Sequence, residues 1–208
     1  MFLHKTPGLI QWLYPSLIWK KKVKEKVIYL TFDDGPIPGL TEKILDILKE
    51  NKVKATFFCV GDNLRKHPGI AQRALSEGHR LGNHSYNHLN GWQTNTLDYV
   101  SNVVRCQREL VDLENPEPQL LRPPYGKIKR SQIKHLKQIL DIIMWDVLSG
   151  DFLASITKEQ CLNKTIKATQ PGSIVIFHDN IKAEKNVMYA LARYITHFQN
   201  KGYTFQTL

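Results

Sequence analysis

Residues 27–32, Val27-Ile28-Tyr29-Leu30-Thr31-Phe32, run straight into Asp33-Asp34-Gly35-Pro36, and this stretch decides how the rest of the chain is read. Six β-branched, aromatic or aliphatic residues in a row suit a strand buried on both faces, and the Asp-Gly-Pro turn stops it. The same unit recurs towards the C-terminus. Thr41 is a candidate N-cap, with Ile44, Leu45, Ile47 and Leu48 at helical spacing behind it. Residues 55–60 (ATFFCV) read as a second strand, 68–77 as a helix closed by Gly78, and the run around Leu81 as a third strand entering Gly82-Asn83-His84.

Leu97, Val100, Val103, Val104, Leu110 and Val111 mark a longer helix that should end before Asn115-Pro116. Leu120-Leu121 starts a short strand broken by Pro123-Pro124, and a basic helix covers 129–138. Residues 142–145 and 173–177 (SIVIF) complete the buried strands, with 203–205 as a closing one. Between them, Thr157 and Gln160 form a capping box for a helix holding Leu162, Thr165 and Ile166. Val187, Leu191, Tyr194, Ile195 and Phe198 form the last helix, with Gly202 past its end. Seven strands alternating with helices predict an α/β fold with a parallel sheet, either open and doubly wound or closed as a barrel. Chemistry in both sits at the strands' C-terminal ends.

Length and composition bound the function. The chain has 208 residues, 42% hydrophobic and 23% charged, which fits one soluble packed domain. Lys and Arg total 29 against 19 Asp and Glu, a formal +10, compatible with nucleic acid, an anionic surface or an anionic substrate. Cys59, Cys106 and Cys161 are odd in number and lack CxxC spacing, against both a disulfide framework and a thiolate zinc site. No stretch approaches the roughly 18 apolar residues of a spanning helix. Residues 8–19 (GLIQWLYPSLIW) are interrupted by Gln11 and Pro15, and lysines stand where a cleavage site should be. This predicts an N-terminal approach segment over 1–26, packed on a domain over 27–208; interfacial anchoring by Trp12, Leu13, Trp19 and the lysines is the alternative.

Polar residues gather at four strand ends. Asp33 and Asp34 follow the first strand; in extended chain, neighbours point to opposite sides, so the pair can divide labour. His84 and His88, four apart, suit one metal ion if they share a helical face. Two imidazoles and a carboxylate leave coordination positions open, which reads as catalytic rather than structural zinc. Arg122, stiffened by Pro123-Pro124, can hold a carboxylate bidentately. His178 follows SIVIF, and Asp146 and Asp151 lie between.

With those residues in place, the chain resembles the polysaccharide deacetylases, the NodB-homology domain of carbohydrate esterase family 4, from about residue 27 to 205. TFDDGP (31–36), HSYNH (84–88), RPPYG (122–126) and VIFHDN (175–180) stand in the family's order. The fourth motif departs: LSGDF (148–152) keeps only the second Asp and has Phe152 where Trp is usual. The resemblance implies a distorted (β/α) barrel, commonly seven-stranded, that removes acetyl groups from sugars with a divalent metal.

Carried over, Asp34, His84 and His88 would bind Zn²⁺ or another divalent ion such as Co²⁺. Asp33 would be the general base oriented by Arg122, Tyr125 an oxyanion donor through its backbone N–H, and His178 the general acid. Asp151 would be the charge partner near Arg122 and His178. A monomer acting on carbohydrate, without nucleic acid, follows. The leader-less N-terminus leaves a cytoplasmic or peripheral membrane-associated protein as the expectation, with envelope contact open. A same-fold amidohydrolase of small cyclic amides, a glycosidase and a basic nucleic-acid module are the competing readings. The lysines at 20–26 and 127–137 are expected on outer surfaces, away from the chemistry.

Overall fold

The structure, a computed structural model, describes residues 2–113 and 119–208. A short helix, α1 (Gly8–Leu13), precedes the first strand, β1 (Val27–Asp33), all seven residues of which are buried. The alternation then runs α2 (Leu40–Glu50), β2 (Thr56–Cys59), α3 (Gly61–Lys66), α4 (Pro68–Ser76), β3 (Arg80–Asn83), α5 (Thr96–Val111) and β4 (Leu120–Leu121). After a 3₁₀ turn at Pro124–Gly126 come α6 (Arg130–Leu136), β5 (Asp141–Ile142), β6 (Val147–Leu148), α7 (Lys158–Ala168), β7 (Ile174–His178), α8 (Glu184–Gln199) and β8 (Thr204–Gln206).

Seven strands form one parallel path in the order β5-β4-β3-β2-β1-β7-β6, with β8 paired to the first half of β1. This is the curled, distorted (β/α) barrel expected from the family resemblance. Period-two alternation divides β1 between two cores. Ile28, Leu30 and Phe32 pack outward with the helices, Phe32 stacking on Phe57 at 4.9 Å, while Val27 and Tyr29 join the inner cluster with Phe58 and Ile143. Thr31 and Asp33 share the inward register, which carries Asp33 to the open end of the barrel. Each fully buried apolar side chain of this kind contributes about 1.5–3 kcal/mol.

The N-terminal residues follow the seam between the two end strands. Ile18 bridges Ile143 beside β5, and Lys5 bridges Val147 in β6. Lys5 also donates to Asp146 at 2.7 Å, and the Lys20–Ser173 bridge continues the contact. By contrast, Leu9, Ile10, Trp12 and Leu13 of α1 are exposed. No helix among the described residues is long and apolar enough to cross a membrane.

Several local expectations are corrected. Residues 142–145 are not one strand: β5 and β6 lie at opposite ends of the sheet, linked across the seam. Helix α2 starts at Leu40 with Gly39 as its cap, so Thr41 lies inside it; its hydroxyl accepts from the Ile37 N–H and donates to Asp179. Helix α3 was not foreseen, whereas the Thr157–Gln160 capping box is present as read. Helix α5 ends at Val111, and the Asn115-Pro116 stop lies outside the described residues.

Candidate active site

The strand ends of β1, β3, β4, β6 and β7 surround a groove of about 750 Å³ lined by Asp33, Asp34, His84, His88, Tyr125 and His178, among others. The two adjacent aspartates turn to different partners. Asp33 Oδ1 accepts from Arg122 Nη1 at 2.6 Å, and both side chains are buried. Arg122 does not grip a carboxylate bidentately: Nη1 also donates to Thr31 Oγ1 at 2.8 Å, and Nη2 to the Met144 carbonyl at 3.1 Å. Its guanidinium lies over the Phe58 ring. A buried charge held by an ion pair and fixed acceptors keeps one orientation.

Asp34 departs from strand geometry with φ +88° and faces the histidines. Its Oδ1 lies 3.4 Å from His84 Nε2 and 3.0 Å from His88 Nε2, and Asn180 Nδ2 donates to its other oxygen. Residues 84–88 are not a helical turn. Positive φ at Ser85 and His88 folds the segment so that both rings converge, with centroids 5.0 Å apart. Of five non-glycine residues with positive φ among those described, Asp34, Ser85, His88 and Tyr125 belong to this site. Such conformations cost of order 1–3 kcal/mol each and persist where surrounding contacts fix them.

The donor set fits a metal ion. His84 Nδ1 lies 2.7 Å from the Arg122 carbonyl, which can only accept, so Nδ1 carries the proton and Nε2 presents a lone pair to Asp34. His88 Nδ1 meets the Tyr125 hydroxyl at 3.1 Å, again leaving Nε2 inward. Three ligand atoms within 4.8 Å of one another thus face a common point, where only a proton or a cation relieves their repulsion. Burial opposes charge on Asp34, but its contacts with the His84 and His88 rings outweigh it and hold its carboxyl well below the usual range.

His178 Nδ1 lies 2.8 Å from Asp151 Oδ1, and Asp151 Oδ2 accepts the His178 backbone N–H at 2.7 Å. Burial would lower the His178 pKa, but the Asp151 charge and hydrogen bond raise it to about 9. Asp151 therefore partners His178; the cation of Arg122 is taken by Asp33 instead. Phe152 packs edge-on against His178 at 4.9 Å and is backed by Phe2 at 5.9 Å. Leu148 and Ile176 join it on the groove wall. Asp146 is drawn elsewhere, to Lys5 and Ser173.

Several residues at the site had no role assigned from the sequence. Thr31 and the Met144 carbonyl fix Arg122, Asn180 holds Asp34, and Asn63 donates to the Asp34 carbonyl at 2.8 Å. Asp179 ties down the loop after β1, accepting from the Gly35 N–H at 3.0 Å and from the Thr41 hydroxyl at 2.7 Å. Burial pushes its carboxyl up to about 7. A Cβ at Gly35 would sit 1.8 Å from Asp179 Oδ2, so only glycine fits that approach. Lys127, expected on an outer surface, lines the groove.

The model of the family described as polysaccharide deacetylase matches residues 20–139, more than half of the chain. The chain belongs to the polysaccharide deacetylase family. Within that family it is similar to a peptidoglycan-N-acetylglucosamine deacetylase of Bacillus cereus, 36% identical over 183 residues, which are 87% of this chain and 66% of that protein. It is also similar to the peptidoglycan-N-acetylmuramic acid deacetylase PdaA of Bacillus subtilis, 33% identical over 190 residues, 89% of this chain and 71% of PdaA. The crystal structure of the Bc1960 peptidoglycan N-acetylglucosamine deacetylase, in complex with an aryl hydroxamate, superposes with a TM-score of 0.90 at 33% identity. That match covers 98% of this chain and 95% of the other. These polysaccharide deacetylases are hydrolases of a carbon–nitrogen bond in a polysaccharide, and the barrel described above is theirs in architecture.

Proposed function

We propose that this chain hydrolyses the acetamide of an N-acetylhexosamine in peptidoglycan or a related glycan, releasing acetate. One observation carries the reading: a buried Asp33–Arg122 pair stands directly beside the Asp34–His84–His88 set, with the Asp151–His178 pair on the same groove. The first offers a fixed base, the second a metal site, the third a charged acid. The substrate class rests on the relatives, named for N-acetylglucosamine and N-acetylmuramic acid deacetylation.

Asp34, His84 and His88 would hold a divalent ion, with zinc the first choice for two imidazoles and one carboxylate. Bound there, such an ion supplies Lewis acidity and brings the pKa of a water towards ~7. Asp33, kept in place by Arg122, takes the proton of the attacking water. The Tyr125 backbone N–H, in the turn after Arg122, is assigned as a donor to the acetyl oxygen as negative charge develops. His178, cationic because of Asp151, gives its proton to the sugar nitrogen as the C–N bond breaks.

A zinc-loaded acetate-release panel tests this. N-acetylglucosamine oligomers and peptidoglycan fragments should release acetate, and Asp33→Asn should remove turnover by at least about 100-fold while metal stays bound. A flat response on both glycans and on acetylated xylan, with metal bound, refutes the reading; hydrolysis of small cyclic amides instead would favour the amidohydrolase alternative.

A further inference from the structure

Resting on that deacetylase reading, we propose that Lys127 and Lys182 select substrate by the charge of the groups flanking the acetylated sugar. Glycans bearing carboxylates beside the target are favoured, and glycans already bearing an ammonium there are disfavoured.

The charges on the groove wall lead to this. Its two carboxylates are already met: Asp33 by Arg122, and Asp34 by His84, His88 and Asn180. Asp151, behind the wall, is met by His178. Lys127 and Lys182 line the same groove, and among the described residues neither meets a carboxylate. They rise from different walls, Lys127 after β4 and Lys182 after β7. The Lys127 ammonium lies 5.5 Å from the Trp92 ring centroid and 5.9 Å from that of Tyr125, cation–π contacts that keep it at the rim. The Tyr125 ring packs on His88 at 4.6 Å, so this cation stands two ring contacts from the metal-ligating set.

Charge on the reacting glycan changes during turnover. Hydrolysis adds water across the amide, leaving acetate and an amine that is protonated near neutral pH. A neutral acetamide thus becomes a cation in a groove whose free charges are positive. The rim gains from a carboxylate on a neighbouring lactyl or peptide substituent. It repels an ammonium left on the next sugar by an earlier turnover, which limits how densely one strand is deacetylated.

The experiment compares two tetrasaccharides on the zinc-loaded protein: neutral chitotetraose and alternating N-acetylglucosamine–N-acetylmuramic acid with free lactyl carboxylates. The acidic-to-neutral ratio of kcat/KM should exceed one and fall about two- to five-fold for each of Lys127→Met and Lys182→Met. It should collapse in wild type at about 0.5 M salt. Lys201→Met, beyond α8, should keep the wild-type ratio. Calorimetric affinity of both sugars for the metal-free protein gives the same comparison without turnover. If neither sugar releases acetate but binding keeps the lysine-dependent preference, the deacetylase reading fails and charge selection stands. A double Lys127→Met/Lys182→Met variant with the wild-type ratio in both assays overturns charge selection, whatever the turnover.

Discussion

Replacing Asp151 by Asn tests the acid side of the site with little change of shape. His178 rises from 6.5 to about 9 because Asp151 outweighs the burial that would lower it. At about 1.4 kcal/mol per pKa unit, that is roughly 3 kcal/mol favouring the imidazolium. Without the Asp151 charge, burial still acts and only the more distant Asp34 and Asp33 oppose it, so the ring should titrate at or below about 6.5. At pH 8 the protonated fraction would fall from about nine-tenths to a few per cent, a loss of about 30-fold in active acid, while at pH 5.5 the loss is slight. Nuclear magnetic resonance titration of His178 in the metal-free protein reads the change directly, and the alkaline limb of kcat/KM in the zinc-loaded enzyme should move down with it. Stability should follow. The folded pKa lies above the unfolded one, so the imidazolium stabilises the fold fully below pH 6.5 and its contribution drains away between 6.5 and 9. Denaturant stability of Asp151→Asn should be flatter across that window. An Asp151→Asn protein in which His178 still titrates near 9 refutes the reasoning.

Tyr125→Phe removes the hydroxyl 3.1 Å from His88 Nδ1 and should weaken zinc affinity about ten-fold by calorimetry; an unchanged Kd would show that this contact does not orient His88. Gly35→Ala forces a methyl against the Asp179 carboxylate and should cost at least about 1–3 kcal/mol in denaturant unfolding, with turnover falling as the loop shifts. Wild-type stability and turnover in that variant would contradict the close approach. Lys5→Met leaves the buried Asp146 with Ser173 and no cation, a loss of about 1–3 kcal/mol that melting should reveal; no loss would mean that the N-terminal residues do not hold the seam.

The strand–helix alternation was legible because apolar runs such as 27–32 and 173–177 are long enough to carry period and boundary together. The short strands β5 and β6 were not, since two residues each hold no periodicity and their separation is set by which neighbour each bonds, β4 for the one and β7 for the other. Helix α3 was hidden for a similar reason: Gly61–Lys66 has a single apolar anchor, Leu64. At the site, Asp33, Asp34, His84, His88, Arg122, Asp151 and His178 announced themselves as chemistry-bearing types at strand ends. The fold of the HSYNH segment did not, because left-handed backbone at Ser85 and His88 leaves no trace in residue identity. Asn180, Asp179 and Thr31 act through one hydrogen bond or two, and a polar residue within a motif looks the same whether it makes them or not. The sequence puts Lys127 on an outer surface beside a basic helix, whereas the turn at Pro124–Gly126 returns it to the groove.

Titrating metal-free protein with zinc while following acetate release from an N-acetylated peptidoglycan oligosaccharide tests the central claim most directly. Release should rise with metal, saturate at one equivalent, and be absent in Asp34→Ala and His84→Ala. Full release from chelator-treated protein, or one tightly bound equivalent with no acetate from any N-acetylated glycan, would contradict it.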